Sequence, residues 1–147
     1  MNYKTICLIA TTCLTLCCCT NQEKMNNNPL MQPYETPYGV PPFDEIKNEH
    51  FIPAIKVGIE KHNKEIEAII NNSEEPNFEN TILPFDKAGE DLDRAVIAFY
   101  CIMENNTNDT IQQLAQEIMP LLSMHSDEIS MNDALFTRIK KVYFNRD

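Results

Sequence analysis

The fold is decided by residues 51–70, which read FIPAIKVGIEKHNKEIEAII. Apolar residues recur here every three or four positions, and mostly polar and charged residues lie between them. This spacing places the apolar side chains along one side of an α-helix. We therefore predict a helix that begins between Asn48 and Phe51 and ends at the polar turn 71–73. Proline lacks the amide hydrogen that a helix interior needs, so Pro53 is acceptable only in or near the first turn.

Three more helices are predicted downstream by the same periodicity. The second begins between Asn77 and Asn80 and continues to about Glu104. The third follows the cap residues 105–108, and its Pro120 predicts a kink or a break. The fourth begins near Asn132 and continues to the end of the sequence. Its predicted apolar face consists of Leu135, Phe136, Ile139, Val142 and Tyr143. No strand pattern competes with these helices, so the sequence predicts an all-α fold.

The second predicted helix contains a run of nine residues, Ala95 to Met103, without a charge or an amide side chain. Such a helix is apolar around its whole circumference and should be covered on every side. This is easier to achieve in the middle layer of a larger protein than in a small bundle. Cys101 lies within the run, and we expect its thiol to be buried, neutral and unreactive.

Upstream of the helices, the sequence divides into three parts. Residues 1–18 form the leader, and residues 19–28 form a polar tether. Residues 29–43 hold five prolines, which predict an extended, irregular segment. Apolar residues are interleaved with these prolines, so we expect this segment to pack against the helices. They are Leu30, Met31, Tyr34, Tyr38, Val40 and Phe43. Residues 44–147 form the helical domain.

The leader has the features of a signal peptide of the lipoprotein type. A single positive charge at Lys4 precedes an uncharged stretch, from Ile6 to Cys19, that is too short to span a bilayer comfortably. Leu16 and the cysteines after it resemble a bacterial lipoprotein cleavage box, with Cys19 as the lipidated residue and Cys18 or Cys17 as alternatives. The sequence thus predicts export to a bacterial cell envelope, lipid-anchored or periplasmic. Ordinary secretion and an uncleaved anchor remain open as alternatives.

Composition excludes two classes of protein. Twelve Lys and Arg residues stand against 22 Asp and Glu, so the formal net charge is −10, the wrong sign for binding nucleic acid phosphates. Four of the six cysteines lie in the leader and a fifth, Cys19, directly follows it, which leaves only Cys101 in the rest of the chain. A disulfide framework is therefore excluded for the helical domain.

No catalytic residue and no metal ligand is assigned from the sequence. The three histidines are His50, His62 and His125, and none lies four residues from another, so the two-histidine zinc helix is absent. His62 shares a helix face with Glu65, as does His125 with Glu128. Each pair offers metal ligands in principle, but surface polar pairs of this kind are far more common. A glycine-rich phosphate loop is also absent.

Three segments resemble the thimet oligopeptidase and peptidyl-dipeptidase Dcp family of zinc metallopeptidases, in the same order. The first comprises residues 28–30, 36–44, 46 and 49–54. The second is FENTI at residues 78–82, followed by Gly89. The third lies between Pro120 and Tyr143. It comprises Pro120-Leu121-Leu122, His125-Ser126-Asp127, Ile129, Leu135-Phe136, Arg138-Ile139 and Val142-Tyr143.

This resemblance implies a helical N-terminal part of a larger α-helical peptidase, forming one wall of a channel that admits short peptides. It also implies zinc bound by a His-Glu-x-x-His helix that lies far downstream of these residues. We therefore expect a chain truncated before its catalytic domain, which binds no zinc and is inactive unless a separately encoded C-terminal part is supplied. The alternative is a free-standing helical lipoprotein that binds peptides or a partner. An independent enzyme with a novel site is a third class.

Overall fold

The computed structural model describes residues 27–146, which form helices joined by short connections. Helix α1 spans Asn48–Ile70, α2 Leu83–Lys87, α3 Glu90–Asn105, α4 Asp109–Ser130 and α5 Asp133–Phe144. A π-helical turn, Phe78–Ile82, leads into α2, and two 3₁₀ turns, Pro29–Met31 and Pro37–Gly39, precede α1. No strand occurs between residues 27 and 146, so the all-α prediction is confirmed. The predicted signal peptide, the lipidation cysteines and most of the tether lie outside the described residues.

Helix α1 forms where the apolar spacing predicted it. It begins at Asn48, where the backbone N–H of Lys47 donates to His50 Nδ1 over 3.1 Å. It ends at the polar turn that starts with Asn71. Pro53 is the sixth residue of the helix, slightly beyond the first turn, and lies on its exposed side. Phe51, Ala54, Ile55, Gly58, Ile66 and Ile69 are buried along one face.

The prediction of one continuous second helix is wrong, because a turn at Ala88 and Gly89 separates α2 from α3. Gly89 has φ +87°, a left-handed conformation that residues with a side chain rarely adopt. A Cβ atom at Gly89 would lie 2.9 Å from the ring of His62 on α1. The backbone must therefore pass so close to α1 that only glycine fits, and α3 starts anew at Glu90.

Helix α3 is covered on one side only by the described residues, so the Ala95–Met103 run leaves an exposed apolar face. Ala95, Ala98 and Phe99 are buried, whereas Ile97 is 58% exposed. Cys101 is exposed, which corrects the prediction of a buried thiol. The reason is geometric: a helix at the edge of a small bundle contacts its neighbours with one face, and nothing between residues 27 and 146 packs on the other.

Helices α4 and α5 begin where they were predicted, directly after Asn108 and Asn132. Asn108 Oδ1 accepts from the backbone N–H of Ile111, and Asn132 Oδ1 accepts from that of Leu135. Helix α4 continues through Pro120, so the predicted break does not occur. Only part of the predicted face of α5 is covered. Leu135 is buried, but Phe136 is 61% exposed and Tyr143 is similarly open to solvent.

The buried apolar residues form two groups. The major core brings together α1, α3, the first half of α4 and the first 3₁₀ turn. It consists of Leu30, Phe51, Ala54, Ile55, Leu92, Ala95, Ala98, Phe99, Ile111 and Ile118. The minor core, formed by Ile66, Ile69 and Leu135, joins the end of α1 to α5.

The proline-rich segment packs at its beginning and not at its end. Leu30 is buried in the major core, and Met31 and Tyr34 pack against it, as predicted. Tyr38, Val40 and Phe43 are exposed, so the prediction is wrong for that half. Within residues 27–146, no helix has the combination of length and apolarity that a membrane crossing requires.

Candidate functional site

Two of the three histidines meet at the contact between α1 and α4. His125 Nε2 lies 3.0 Å from His62 Nδ1, and the two rings pack edge to face. The residues are 63 positions apart, so helical spacing could not have paired them. The sequence prediction instead paired each histidine with a glutamate on its own helix. The histidine pair is thus the functional candidate that sequence reasoning missed.

The connection between α2 and α3 packs against the His62 ring of this pair. Glu65 Oε2 accepts a 2.7 Å hydrogen bond from the backbone N–H of Gly89, whose Cα faces the His62 ring. Glu65 is therefore used to hold the connection against α1. His62 and Glu65, which the sequence offered as a possible pair of metal ligands, both contact Gly89 in the structure.

Burial sets the electrostatics of the pair. His125 is 5% exposed, and its Nδ1 has no hydrogen-bond partner among residues 27–146. Burial lowers the pKa of His125, as does the neighbouring His62 ring, while the Glu128 carboxylate acts in the opposite direction. Neutral imidazole is consequently the favoured form of His125 near neutral pH.

His50 lies apart from this pair, at the start of α1. Burial also lowers its pKa; the Glu49 carboxylate opposes this effect, and Lys47 adds to it. Its Nδ1 caps the helix by accepting from Lys47. All three histidines thus make structural contacts.

The described residues do not fit the zinc site that the resemblance implies. Between residues 27 and 146, no three His, Cys, Asp or Glu side chains lie close enough together to hold a metal ion. A structural or catalytic zinc site requires at least three protein ligands.

A second polar cluster surrounds Arg138, a buried residue on α5. Its Nη1 donates to the backbone carbonyl of Asn72 over 2.7 Å. Its Nη2 lies 3.4 Å from both Asn80 Oδ1 and Thr81 Oγ1, and 3.5 Å from the carbonyl of Glu74. No described carboxylate forms an ion pair with this guanidinium. Arg138 therefore fastens α5 to the π-helical turn and to the loop after α1 through neutral oxygens.

A groove of about 560 Å³ lies between these two clusters, along the second half of α1. One wall comes from α1 and the other from the π-helical turn and α2. Glu65, Glu79 and Lys87 line it together with apolar and amide side chains. The groove contains no nucleophile paired with a base.

The sequence of this chain is similar to those of several bacterial peptidases. The chain is 37% identical to dipeptidyl carboxypeptidase of Salmonella typhimurium over 122 residues, 83% of the chain. It is 35% identical to dipeptidyl carboxypeptidase of Escherichia coli over 120 residues, or 82%. Oligopeptidase A of Haemophilus influenzae is 30% identical over 100 residues, or 67%.

The chain belongs to the thimet oligopeptidase family. It spans 18% of the length of each of the two dipeptidyl carboxypeptidases that it matches. No family model matches the chain.

The three segments that carry the family resemblance contribute several of the polar contacts of the fold. In the first, the side-chain amide of Asn28 donates to the carbonyl of His50 over 2.8 Å. The second and third meet where Arg138 contacts Asn80 and Thr81. The ring of His62 lies between Gly89 of the second segment and His125 of the third. The family residues present here therefore maintain the scaffold.

Proposed function

We propose that this chain is the N-terminal, non-catalytic part of an exported peptidyl-dipeptidase-like zinc metallopeptidase, whose remainder supplies the zinc site. The observation that carries the proposal is the similarity to the dipeptidyl carboxypeptidases, which covers most of this chain and 18% of theirs. The described residues supply a scaffold and a groove, but no set of metal ligands. In the proposed enzyme, the remainder of the protein supplies the zinc ligands.

The uncovered apolar side chains support a contact with such a remainder. One exposed patch lies on α3, where Ile97, Tyr100 and Cys101 are exposed. Another lies on α5, where Phe136, Tyr143 and Phe144 are more than half exposed. Exposed apolar patches commonly mark sites of contact with other protein surfaces. In the proposed enzyme, the catalytic part covers these two faces.

The groove beside α1 is proposed as part of the channel wall that contacts short peptides. It is open, lies between α1 on one side and the π-helical turn and α2 on the other, and has both charged and apolar lining residues. A wall of this kind binds and orients a peptide but does not cleave it. This is consistent with the absence of a nucleophile in the groove.

Zinc-dependent release of dipeptides from a blocked peptide tests the proposal. The chain alone should show no activity. Mixing it with a C-terminal part of a dipeptidyl carboxypeptidase that lacks the matching region should restore activity. Ile97→Asp should weaken this complementation because it places a charge on the proposed contact face, whereas Gln113→Asp at an exposed polar position should not. Activity of the chain alone, with stoichiometric zinc, would overturn the proposal.

Export and lipidation are proposed from the leader, with Cys19 as the modified residue and Cys18 or Cys17 as alternatives. Replacing all three by serine should move the protein from the membrane fraction to the soluble fraction. Retention in the membrane fraction would reject the lipid anchor.

A free-standing helical lipoprotein that binds peptides or a partner is the second candidate. It is favoured by the presence of two buried cores within this chain, which give it a hydrophobic interior of its own. The reading frame after the codon for Asp147 distinguishes the two. A downstream His-Glu-x-x-His sequence supports the enzyme part, and its absence supports the binding module.

A further inference from the structure

The histidine pair forms a polar layer between the two hydrophobic cores. On α1, His62 lies between Ile59, which packs on the major core, and Ile66 of the minor core. On α4, His125 lies between Leu122 and Ile129, which pack on the major and minor cores respectively. Both helices therefore pass from one core to the other at the same level, and each carries a histidine there.

The short contact between the rings restricts how many protons the pair can hold. A separation of 3.0 Å between His125 Nε2 and His62 Nδ1 allows one N–H hydrogen between the two nitrogens. This condition is met when both rings are neutral and when only one of them is charged, because one of the two facing nitrogens then remains an acceptor. Two protonated rings place an N–H on each facing nitrogen, together with two positive charges, and the contact cannot persist.

The surrounding groups offer little compensation for that second charge. His125 Nδ1 is buried without a partner, so a proton there gains no hydrogen bond. On α4, Glu128 attracts a charged His125 but forms no described hydrogen bond with it. On α1, Glu65 is bonded to the N–H of Gly89, and Lys61 is paired with Asp91 at the start of α3.

We propose that His62 and His125 form a pH-sensitive latch, which holds the second half of α4 against α1 near neutral pH and opens in acid. Opening would loosen α4 beyond Leu122 and, with it, the minor core. The groove beside Glu65 and Ala88 adjoins the latch, so acid would also alter that surface. This inference goes beyond the proposed function and depends only on described residues.

The sign of the pH effect follows from linkage. Burial and the His62 charge lower the pKa of His125 in the folded state, so the unfolded chain binds more protons as the medium becomes acidic. The stabilising contribution is fully present above the ordinary histidine pKa and is lost as the pH falls toward the lowered one. Raising the pH should therefore close the latch.

Thermal unfolding of the full chain between about pH 8 and about pH 5, where histidine changes charge, tests the latch. His62→Gln removes the second titrating ring, but its amide oxygen still accepts from His125 Nε2. The melting temperature of this variant should fall less with acid than that of the natural chain. Gln113→Asn, at an exposed position of α4 that carries no titrating group, is the matched control and should preserve the natural pH dependence. An equal fall in the natural chain and His62→Gln would overturn the proposal.

Nuclear magnetic resonance of the natural chain provides a measurement that does not depend on a variant folding. As the His125 ring becomes protonated in acid, amide exchange in the second half of α4 should accelerate over the same pH range. The amides of α3 should change less over the same range. Amide exchange in α4 that does not change as His125 becomes protonated would contradict the latch.

Discussion

The major and minor cores are stabilised by different kinds of interaction. In the major core, Phe51 and Phe99 are fully buried and pack edge to face, with ring centroids 5.2 Å apart. The minor core has only three buried apolar residues, but the adjacent Arg138 makes directed contacts with Asn72 and the π-helical turn. The first region therefore depends on the volume of apolar side chains, and the second on the placement of a few polar atoms.

The largest effect should come from removing a ring of the major core. Phe99→Ala should lower the free energy of unfolding by about 3–5 kcal/mol, because it deletes buried surface and leaves a cavity. Urea unfolding monitored by circular dichroism measures the change. Ile97→Ala, on the exposed side of the same helix, is the control and should change stability by less than about 0.5 kcal/mol. Equal losses in the two variants would show that the exposed face is covered in solution.

A smaller effect is expected from removing the hydrogen bonds of Arg138 beside the minor core. Arg138→Met keeps much of the side-chain volume but leaves the carbonyl of Asn72 and the hydroxyl of Thr81 without this donor. Unfolding free energy should fall by about 2–3 kcal/mol, the typical contribution of hydrogen bonds to charged groups. Lys140→Met, at an exposed position on the same helix, serves as the control. A neutral result for Arg138→Met would mean that apolar contacts alone hold α5 in place.

The smallest effect concerns the helix caps in the two regions. Asn132→Ala and Asn108→Ala each remove a side-chain oxygen that accepts from a backbone N–H at the start of a helix, at a cost of about 1 kcal/mol. Hydrogen exchange should separate them: loss of Asn132 should accelerate exchange mainly in α5, and loss of Asn108 mainly in α4. Uniform acceleration over all helices would indicate that both cores unfold as one unit.

Local patterns in the sequence predicted α1, α4 and α5 because their determinants lie within a few residues of each other. The apolar spacing of Phe51 to Ile70 and the cap residues Asn108 and Asn132 are signals of this kind. The break at Gly89 is different, since it depends on the approach of the backbone to His62 on another helix. A periodic apolar pattern that continues on both sides of Gly89 conceals it.

The candidate site was predicted less well than the fold because its contacts are long-range. The acceptors of Arg138 lie 57 to 66 positions away, and the two paired histidines are separated by 63. Cys101 was misplaced for a related reason. An all-apolar run specifies that a helix has no polar side, but it does not specify how many neighbours cover it.

Because α1 contributes to both cores, it also constrains the order of events during synthesis. The whole of α1, up to Ile70, leaves the ribosome before α3, which begins at Glu90, can cover its apolar face. The emerging chain therefore carries an amphipathic helix that has no partner for an interval, and translation at ~5–20 residues per second makes that interval a matter of seconds. Contact with α3 should end this exposure first, and docking of α5 should come last.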